Sequence, residues 1–116
     1  MANSVSWFEV AGKDHAGLKS FYSGLFDWRL NDMEGMPYSI LENADGGIPG
    51  GIGGVPEGSD GHVTFYVEVD DLEASLGKAE SLGGKRAIGP TDIPGGQIAQ
   101  FTDPEGHLVG LMHMEG

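Results

Sequence analysis

Residues 62–84 read HVTFYVEVDDLEASLGKAESLGG, and this stretch decides the fold class. Residues His62 to Val69 alternate between two faces, which predicts a β-strand. Asp71 then offers a helix N-cap, and the apolar residues at 72, 76, 79 and 82 fall on one side of a helix. The glycine pair at 83 and 84 supplies a left-handed C-cap. The stretch therefore predicts a strand followed by a helix that packs on one face of a sheet.

The same order of elements occurs about 57 residues earlier. Ser4 to Ala11 predicts a strand, Asp14 a helix N-cap, and the apolar residues at 18, 21, 22, 25 and 26 a helical stripe. Three short strands are predicted after each helix: Arg29 to Met33, Met36 to Glu42 and Gly51 to Val55, then Arg86 to Ile88, Gln97 to Thr102 and His107 to Met114. The turn at 103–106 joins the last two. We therefore expect an α+β fold of two βαβββ modules, about 4–56 and 61–114, in one domain over 1–116.

The chain of 116 residues carries 18 acidic and 6 basic residues, a net charge of −12, and no cysteine. A negative field of this size disfavours nucleic acid and anionic lipid and favours cationic ligands, although an acidic surface also serves solubility alone. Disulfides and thiolate metal sites are excluded. The start of the chain lacks a secretory signal, and no apolar run is long enough to span a bilayer. We expect a cytoplasmic protein that binds neither nucleic acid nor membranes.

Several stretches, in this order along the chain, carry a resemblance to a known family. They are Trp7-Phe8-Glu9-Val10, the helix that ends in Leu25-Phe26-Asp27-Trp28, Val69-Asp70-Asp71-Leu72, Leu82-Gly83-Gly84 and Phe101-Thr102-Asp103-Pro104-Glu105-Gly106. Together they resemble the vicinal oxygen chelate superfamily of glyoxalases, bleomycin-resistance proteins and dioxygenases, and most of all a glyoxalase-like branch. The resemblance implies that the two modules form a cupped mixed sheet around one cavity. It also implies a homodimer and a small-molecule ligand.

Enzymes of that family hold a divalent metal with side chains from the first and closing strands of each module. Carried onto this sequence, the first-strand positions are Trp7 and His62, and the closing-strand positions are Gly110 and the glycine run 51–54. Only His62 could be a ligand, whereas catalytic sites of this kind use at least three protein ligands. We therefore expect no catalytic metal and no cofactor.

Strand parity predicts which side chains face the cavity. Phe8, Val10, Val63, Phe65 and Val67 are expected to pack beneath the helices. The opposite parity places these residues in the cavity: Trp7, Glu9, His62, Thr64, Tyr66, Leu108, Gly110 and Met112. Such a wall is largely apolar with a few polar groups, as in small-molecule sites. Gly110 would leave room for a ligand or for Trp7.

Each candidate also has a purely structural interpretation. Trp7 could fill the metal space as core, and His62 could be a hydrogen-bonded structural histidine. Glu9 is costly on an apolar face unless it is paired, solvated or functional. The remaining histidines, His15, His107 and His113, are expected to be structural, and the glycine run a flexible strand edge or lid.

Two functions of different classes follow. The first is a binding protein that sequesters a flat or cationic ligand without a metal, through stacking, cation–π contact and charge pairing. The second is a glyoxalase-like enzyme that uses Glu9 or His62 as general base, or an atypical metal site. The sequence does not name the ligand.

Overall fold

The computed structural model describes residues 2–42 and 44–115, which form two compact units. The N-terminal unit comprises residues 7–63, and the C-terminal unit comprises residues 2–6 and 64–115. The elements in chain order are β1 (Val5–Gly12), α1 (His15–Phe26), β2 (Leu30–Asp32), β3 (Tyr38–Leu41), β4 (Gly50–Gly54), β5 (His62–Glu68), α2 (Leu72–Ser81), β6 (Lys85–Ile93), β7 (Gly96–Thr102) and β8 (Leu108–Met114). The α+β fold class and the twofold βαβββ order predicted from the sequence are confirmed.

In the N-terminal unit the strands follow the order β2, β3, β4, β1. β1 runs parallel to β4 with Phe8 opposite Gly50, whereas β3 is antiparallel to its neighbours. α1 begins where predicted, because the carboxylate of Asp14 accepts a hydrogen bond from the Gly17 amide at 3.0 Å. It ends at Asp27, which adopts the left-handed conformation with φ 56°.

Aromatic rings join α1 to its sheet. Trp28, just after the helix, lies 5.3 Å from Phe8, 5.7 Å from Tyr22 and 5.2 Å from Phe26 between ring centroids. Phe8 therefore faces α1, as strand parity predicts, and the odd-numbered residues of β1 face away from it. The rest of the apolar stripe is not buried, since Phe21, Leu25 and Phe26 are each more than half exposed.

β4 corrects the expectation for the glycine run. It is a buried strand paired on both sides, not a flexible edge or lid. Its glycines are required by close contact: a methyl group at Gly50 would overlap the Phe8 ring, and one at Gly51 or Gly53 would overlap the Tyr38 ring. Side chains from the neighbouring strands β1 and β3 therefore cover the glycines of β4.

In the C-terminal unit the strands follow the order β5, β8, β7, β6. α2 begins at the predicted N-cap, where Asp71 accepts from the Ala74 amide at 3.0 Å, and Gly83 beyond its end has φ 104°. The core beneath it consists of Val69, Leu72, Leu76, Ala99 and Leu111, with Val67 and Phe101 packed against them. Burial of these apolar side chains provides most of the stability of such a unit.

Two residues expected under the helices are exposed instead. Val63 is 76% and Phe65 is 42% accessible, although they share the parity of the buried Val69. The reason is the placement of α2, which packs on β6, β7 and β8 and so covers only the later part of β5. Parity assigned the face correctly but not the extent of the helix along the strand.

No helix in the described part of the chain combines the length and apolar character needed to cross a membrane. The cytoplasmic location and the exclusion of nucleic acid stay predictions.

Candidate functional site

Glu9 and His62 lie together in the N-terminal unit, although 53 residues separate them in the chain. His62 Nε2 is 2.6 Å from Glu9 Oε2, and the two side chains are 21% and 14% exposed. Glu9 stands on β1 on the face opposite α1, and His62 is the first residue of β5. The sequence predicted both residues for the same face, and their contact gives the carboxylate a partner that offsets the cost of its burial.

This contact fixes the chemistry of the imidazole. A carboxylate only accepts hydrogen bonds, so Nε2 of His62 must be the donor. In the neutral ring Nδ1 then carries the lone pair and can accept a proton or an N–H from a ligand. A carboxylate-oriented imidazole of this kind is a suitable general base and also a suitable anchor for a ligand donor.

Trp7 lies on the same face of β1, and its indole N–H donates to the hydroxyl of Tyr38 at 2.9 Å. The ring of Tyr38 covers Gly51 and Gly53 of β4. Tyr38 could not be identified from the sequence, because its partner glycines follow only from the register of β3 and β4. We call this surface the dyad face, after the Glu9–His62 pair; its residues are Trp7, Glu9, Tyr38 and His62.

The other predicted site residues lie in the C-terminal unit. Tyr66 is 2% exposed and pairs across strands with Gly110, and its hydroxyl accepts from the Gln100 amide at 2.8 Å. Thr64 donates to the Leu108 carbonyl at 2.6 Å, and Met112 is buried on β8. The space at Gly110 is filled by Tyr66 itself, since a methyl group there would overlap that ring. It is therefore not open, and Gln100 is a further residue that the sequence did not indicate.

These packing relations test the metal site that the resemblance implies. At both closing-strand positions a tyrosine ring occupies the space that a metal-binding side chain would need: Tyr38 over Gly51 and Gly53, and Tyr66 over Gly110. Within residues 2–42 and 44–115 no three His, Asp or Glu side chains are grouped so that they could hold a metal ion. The residues present do not fit the family's metal.

His15, the first residue of α1, is partly buried against β3. Its Nε2 lies 2.9 Å from the hydroxyl of Ser39, a fully buried residue of β3, and that hydroxyl donates to Asp32 at 2.6 Å. Lys19 also donates to Asp32, at 2.7 Å. The hydrogen bond from Lys19, followed by that from Ser39, holds the pKa of Asp32 below its ordinary value.

In the closing turn, Asp103 accepts from the backbone amides of Glu105 and His107, each at 2.9 Å, and from the His107 ring at 3.0 Å. The backbone hydrogen bond from His107 is the main reason that the pKa of Asp103 lies below its ordinary value. His107 is thus structural, as expected. This exposed pair provides a second carboxylate–imidazole contact, remote in sequence from Glu9 and useful as a control.

Comparison with known proteins agrees with this architecture. In Mycobacterium tuberculosis, the protein named "Putative glyoxylase CFP32" is 32% identical over 114 aligned residues, covering 91% of this chain and 44% of the relative. The chain thus spans less than half the length of the curated relatives that it matches.

Among solved structures, methylmalonyl-CoA epimerase from Mycobacterium tuberculosis superposes with a TM-score of 0.71 at 15% identity, over 97% of this chain and 88% of that one. The Mn(II)-bound glyoxalase from Novosphingobium aromaticivorans gives 0.64 at 18% identity, over 97% of this chain and 40% of that one. At these identities the likeness concerns the fold. The family described as Glyoxalase/Bleomycin resistance protein/Dioxygenase superfamily matches residues 4–111. The chain therefore belongs to the glyoxalase/bleomycin resistance/dioxygenase superfamily.

Proposed function

We propose that this protein binds a flat, cationic small molecule at the dyad face, without a resident metal. The observation that carries the proposal is the hydrogen bond between Glu9 and His62. Trp7 supports it, because Trp7 and Glu9 are alternate residues of β1 and so share one sheet face. Indole faces attract cations, and a carboxylate pairs with them, so the three groups recognise the same class of ligand.

The tyrosine rings over Gly51 and Gly110 support the metal-free part of the proposal. A carboxylate introduced at either position by substitution would have to displace a ring that packs against the adjacent strand. Elemental analysis of protein purified without chelators or an affinity tag tests this part. We expect less than stoichiometric nickel, zinc, iron or manganese; a full equivalent of any of these metals would contradict it.

Titration calorimetry with proflavine, a planar aromatic cation, tests the binding itself. Saturable heat is expected with the native chain. Glu9→Gln should weaken binding about tenfold, because it removes a charge and keeps the shape of the side chain. Trp7→Leu should weaken it to a similar extent by removing the aromatic face. Asp103→Asn, in the remote carboxylate–imidazole pair, is the matched control and should bind normally.

Anthracene-2-carboxylate, a planar three-ring anion, is the matched ligand control and should not bind. The proposal fails if proflavine gives no saturable heat, or if Glu9→Gln binds it as tightly as the native chain does.

A second function is favoured by the tautomer that Glu9 imposes on His62. With Nε2 as donor, Nδ1 is the ring nitrogen that would act as a general base and remove a proton next to a carbonyl group. Deuterium incorporation from D₂O into hydroxyacetone, followed by proton NMR, tests this chemistry. Protein-dependent exchange that survives a chelator and disappears in His62→Gln, but not in His107→Gln, would establish the enzyme. Exchange equal to that of buffer would reject it.

We also propose that the protein forms a homodimer. Phe21, Leu25 and Phe26 support this assembly, since exposed clusters of large apolar side chains are typical of contact surfaces. Sedimentation analysis is expected to show a dimer that Phe21→Ser weakens. Leu82→Ser, which changes a still more exposed apolar residue just after α2, should leave it intact. A native monomer at high concentration would contradict the proposal.

A further inference from the structure

A cavity of about 310 Å³ lies in the C-terminal unit, between the β6–β7 turn and the end of β8. This volume is at the lower end of the range of small-molecule sites. The backbone is closely packed beside it: the Glu115 amide donates to the Gly95 carbonyl at 2.8 Å, and any side chain at Gly96 would overlap the His113 backbone. None of its lining residues belongs to the dyad face.

Three of the lining side chains stand in a row across neighbouring strands. Asp92 pairs with Gln97 between β6 and β7, and Gln97 pairs with His113 between β7 and β8. The Gln97 amide donates to Asp92 Oδ1 at 2.9 Å, which leaves its carbonyl oxygen as an acceptor. The carboxylate of Asp92 thus orients the Gln97 amide.

His113 is oriented in the same way from the other side. Its Nδ1 lies 3.1 Å from Glu68 Oε2 and 2.9 Å from the Val69 carbonyl. Both partners are acceptors, so Nδ1 carries the hydrogen and the neutral ring presents Nε2 as an acceptor. The structural role expected for His113 involves its Nδ1 only, so Nε2 can accept a hydrogen bond from a ligand.

The lining therefore offers acceptors and negative charge. Two carboxylates, Asp92 and Glu115, stand with the Gln97 carbonyl and an imidazole lone pair, and no lysine or arginine is among the described lining residues. A ligand that matches this set must carry positive charge and several N–H donors. A bare metal ion fits less well, since no three of the described His, Asp and Glu side chains are grouped to hold one.

We propose that this cavity is a second binding site, distinct from the dyad face, for a small organic cation with an ammonium or guanidinium group. The carboxylates of Asp92 and Glu115 supply the charge, and Gln97 and His113 supply neutral acceptors held in place by Asp92 and Glu68. The site does not depend on the function proposed for the dyad face.

Titration of ¹⁵N-labelled protein with butylamine and with agmatine tests the proposal, with butyrate and 1-butanol as anionic and neutral controls. The amines should give saturable amide shifts centred on residues 92–97 and 113–115, and the controls should not. Glu115→Gln should weaken amine binding about tenfold, because it removes one charge and keeps the side-chain length. Asp92→Asn should do the same while its oxygen still accepts from Gln97.

His107→Gln, at the exposed turn, is the control variant and should bind as the native chain does. His113→Gln should weaken binding as well; if it unfolds the unit, the two carboxylate variants still decide. The proposal is overturned if the amines give no saturable shifts, if butyrate shifts the same amides, or if Glu115→Gln and Asp92→Asn bind normally. Shifts confined to the neighbourhood of Glu9 and His62 would also overturn it, while leaving the dyad face as a cation site.

Discussion

Tyr66 and Gly110 form a cross-strand pair in which the ring of one residue lies on the backbone of the other. The pair explains why a glycine stands in the middle of a buried strand, where glycine otherwise weakens a sheet. The side-chain amide of Gln100 donates a hydrogen bond to the hydroxyl of Tyr66 and so holds the far end of the ring. The three residues therefore form one packed group in which each position depends on the others.

Gly110→Ala should destabilise the C-terminal unit by about 1–3 kcal/mol, because the new methyl group overlaps the Tyr66 ring and forces it to shift. Urea unfolding of the native chain and the variant measures the difference. Gly89→Ala is the control, since nothing lies within 4 Å of a methyl group at that strand position, and it should change stability little. Equal stability of both variants would contradict the packing described for Gly110.

The group also shows what sequence reasoning could reach at the scale of single residues. The family resemblance identified Gly110 as a position where a metal-binding carboxylate would stand. It did not indicate which side chain fills the space there. Parity placed Tyr66 on the correct face as well. That Tyr66 lies on Gly110 follows from the register of two strands that are more than 40 residues apart, which no local pattern encodes.

Asp32 contributes stability that depends on pH. Hydrogen bonds from Lys19 and Ser39 lower its pKa in the folded state, so the folded chain binds the proton less tightly than the unfolded chain does. Its contribution is present above the unfolded pKa of about 4 and is lost as the pH falls through the lower folded value. Asp32→Asn should therefore flatten the loss of stability as the pH falls below about 4.

Denaturant midpoints measured at intervals over this range test the expectation. Asp45→Asn removes a carboxylate from an exposed turn and serves as the control, with an acid profile like that of the native chain. A steeper acid loss in Asp32→Asn than in the native chain would contradict the assignment.

At the scale of elements, both helices contain a glycine with open space around it. Nothing lies within 4 Å of a methyl group at Gly24 in α1 or at Gly77 in α2, and neither has a positive φ. Glycine lowers helix stability by about 0.5–1 kcal/mol relative to alanine. Gly24→Ala and Gly77→Ala should each raise the free energy of unfolding by about that amount.

Thermal and urea unfolding measure the gain. Gly17→Ala is the contrasting variant in α1, because its methyl group would overlap the Asp14 carboxylate that caps the helix, and it should destabilise. If all three alanines stabilise equally, the cap contact of Asp14 has no role in the folded chain.

Elements were predicted best where a local signal marks their ends. The two N-caps at Asp14 and Asp71 begin both helices, and Gly83 follows the end of the second. β6 was predicted from Arg86 to Ile88, whereas the strand spans the nine residues Lys85–Ile93 and passes through Pro90. β6 is an edge strand that pairs with β7 only, and its register shifts between Ile88 and Thr91. The strand can therefore continue through Pro90, because an edge strand tolerates a proline.

At the scale of the whole molecule, a net charge of −12 affects every encounter with a charged ligand. Long-range attraction raises the association rate of cations and is screened over about 10 Å at 0.1 M salt. The association rate of proflavine should therefore fall as the salt concentration increases. Stopped-flow fluorescence at several ionic strengths measures the slope.

Acidification towards the isoelectric point near pH 4.4 should reduce that slope, because the net charge then approaches zero. An association rate that does not depend on salt at neutral pH would contradict electrostatic attraction. A salt dependence that is the same near pH 4.4 would mean that charged groups close to the site cause it, and not the net charge.

The order of elements could be predicted from the sequence because it is encoded in a repeated strand–helix signal along the chain. The family could be predicted because several motifs, such as Asp103-Pro104-Glu105-Gly106, resemble its pattern. The candidate site was predicted in part: parity placed Glu9 and His62 on one face, and they are in contact. Tyr38 and the cavity beside His113 could not be predicted, because both arise from pairings between strands that are distant in the sequence.

The tyrosine–glycine pairs have a consequence for how this chain could change over evolutionary time. A carboxylate gained at position 110 alone would collide with the ring of Tyr66, and loss of that ring alone would leave an empty volume in the interior. Each single step lowers stability, so the two exchanges must occur almost together or follow a stabilising change elsewhere. A mutational path to a carboxylate at position 110 therefore requires at least two coupled exchanges.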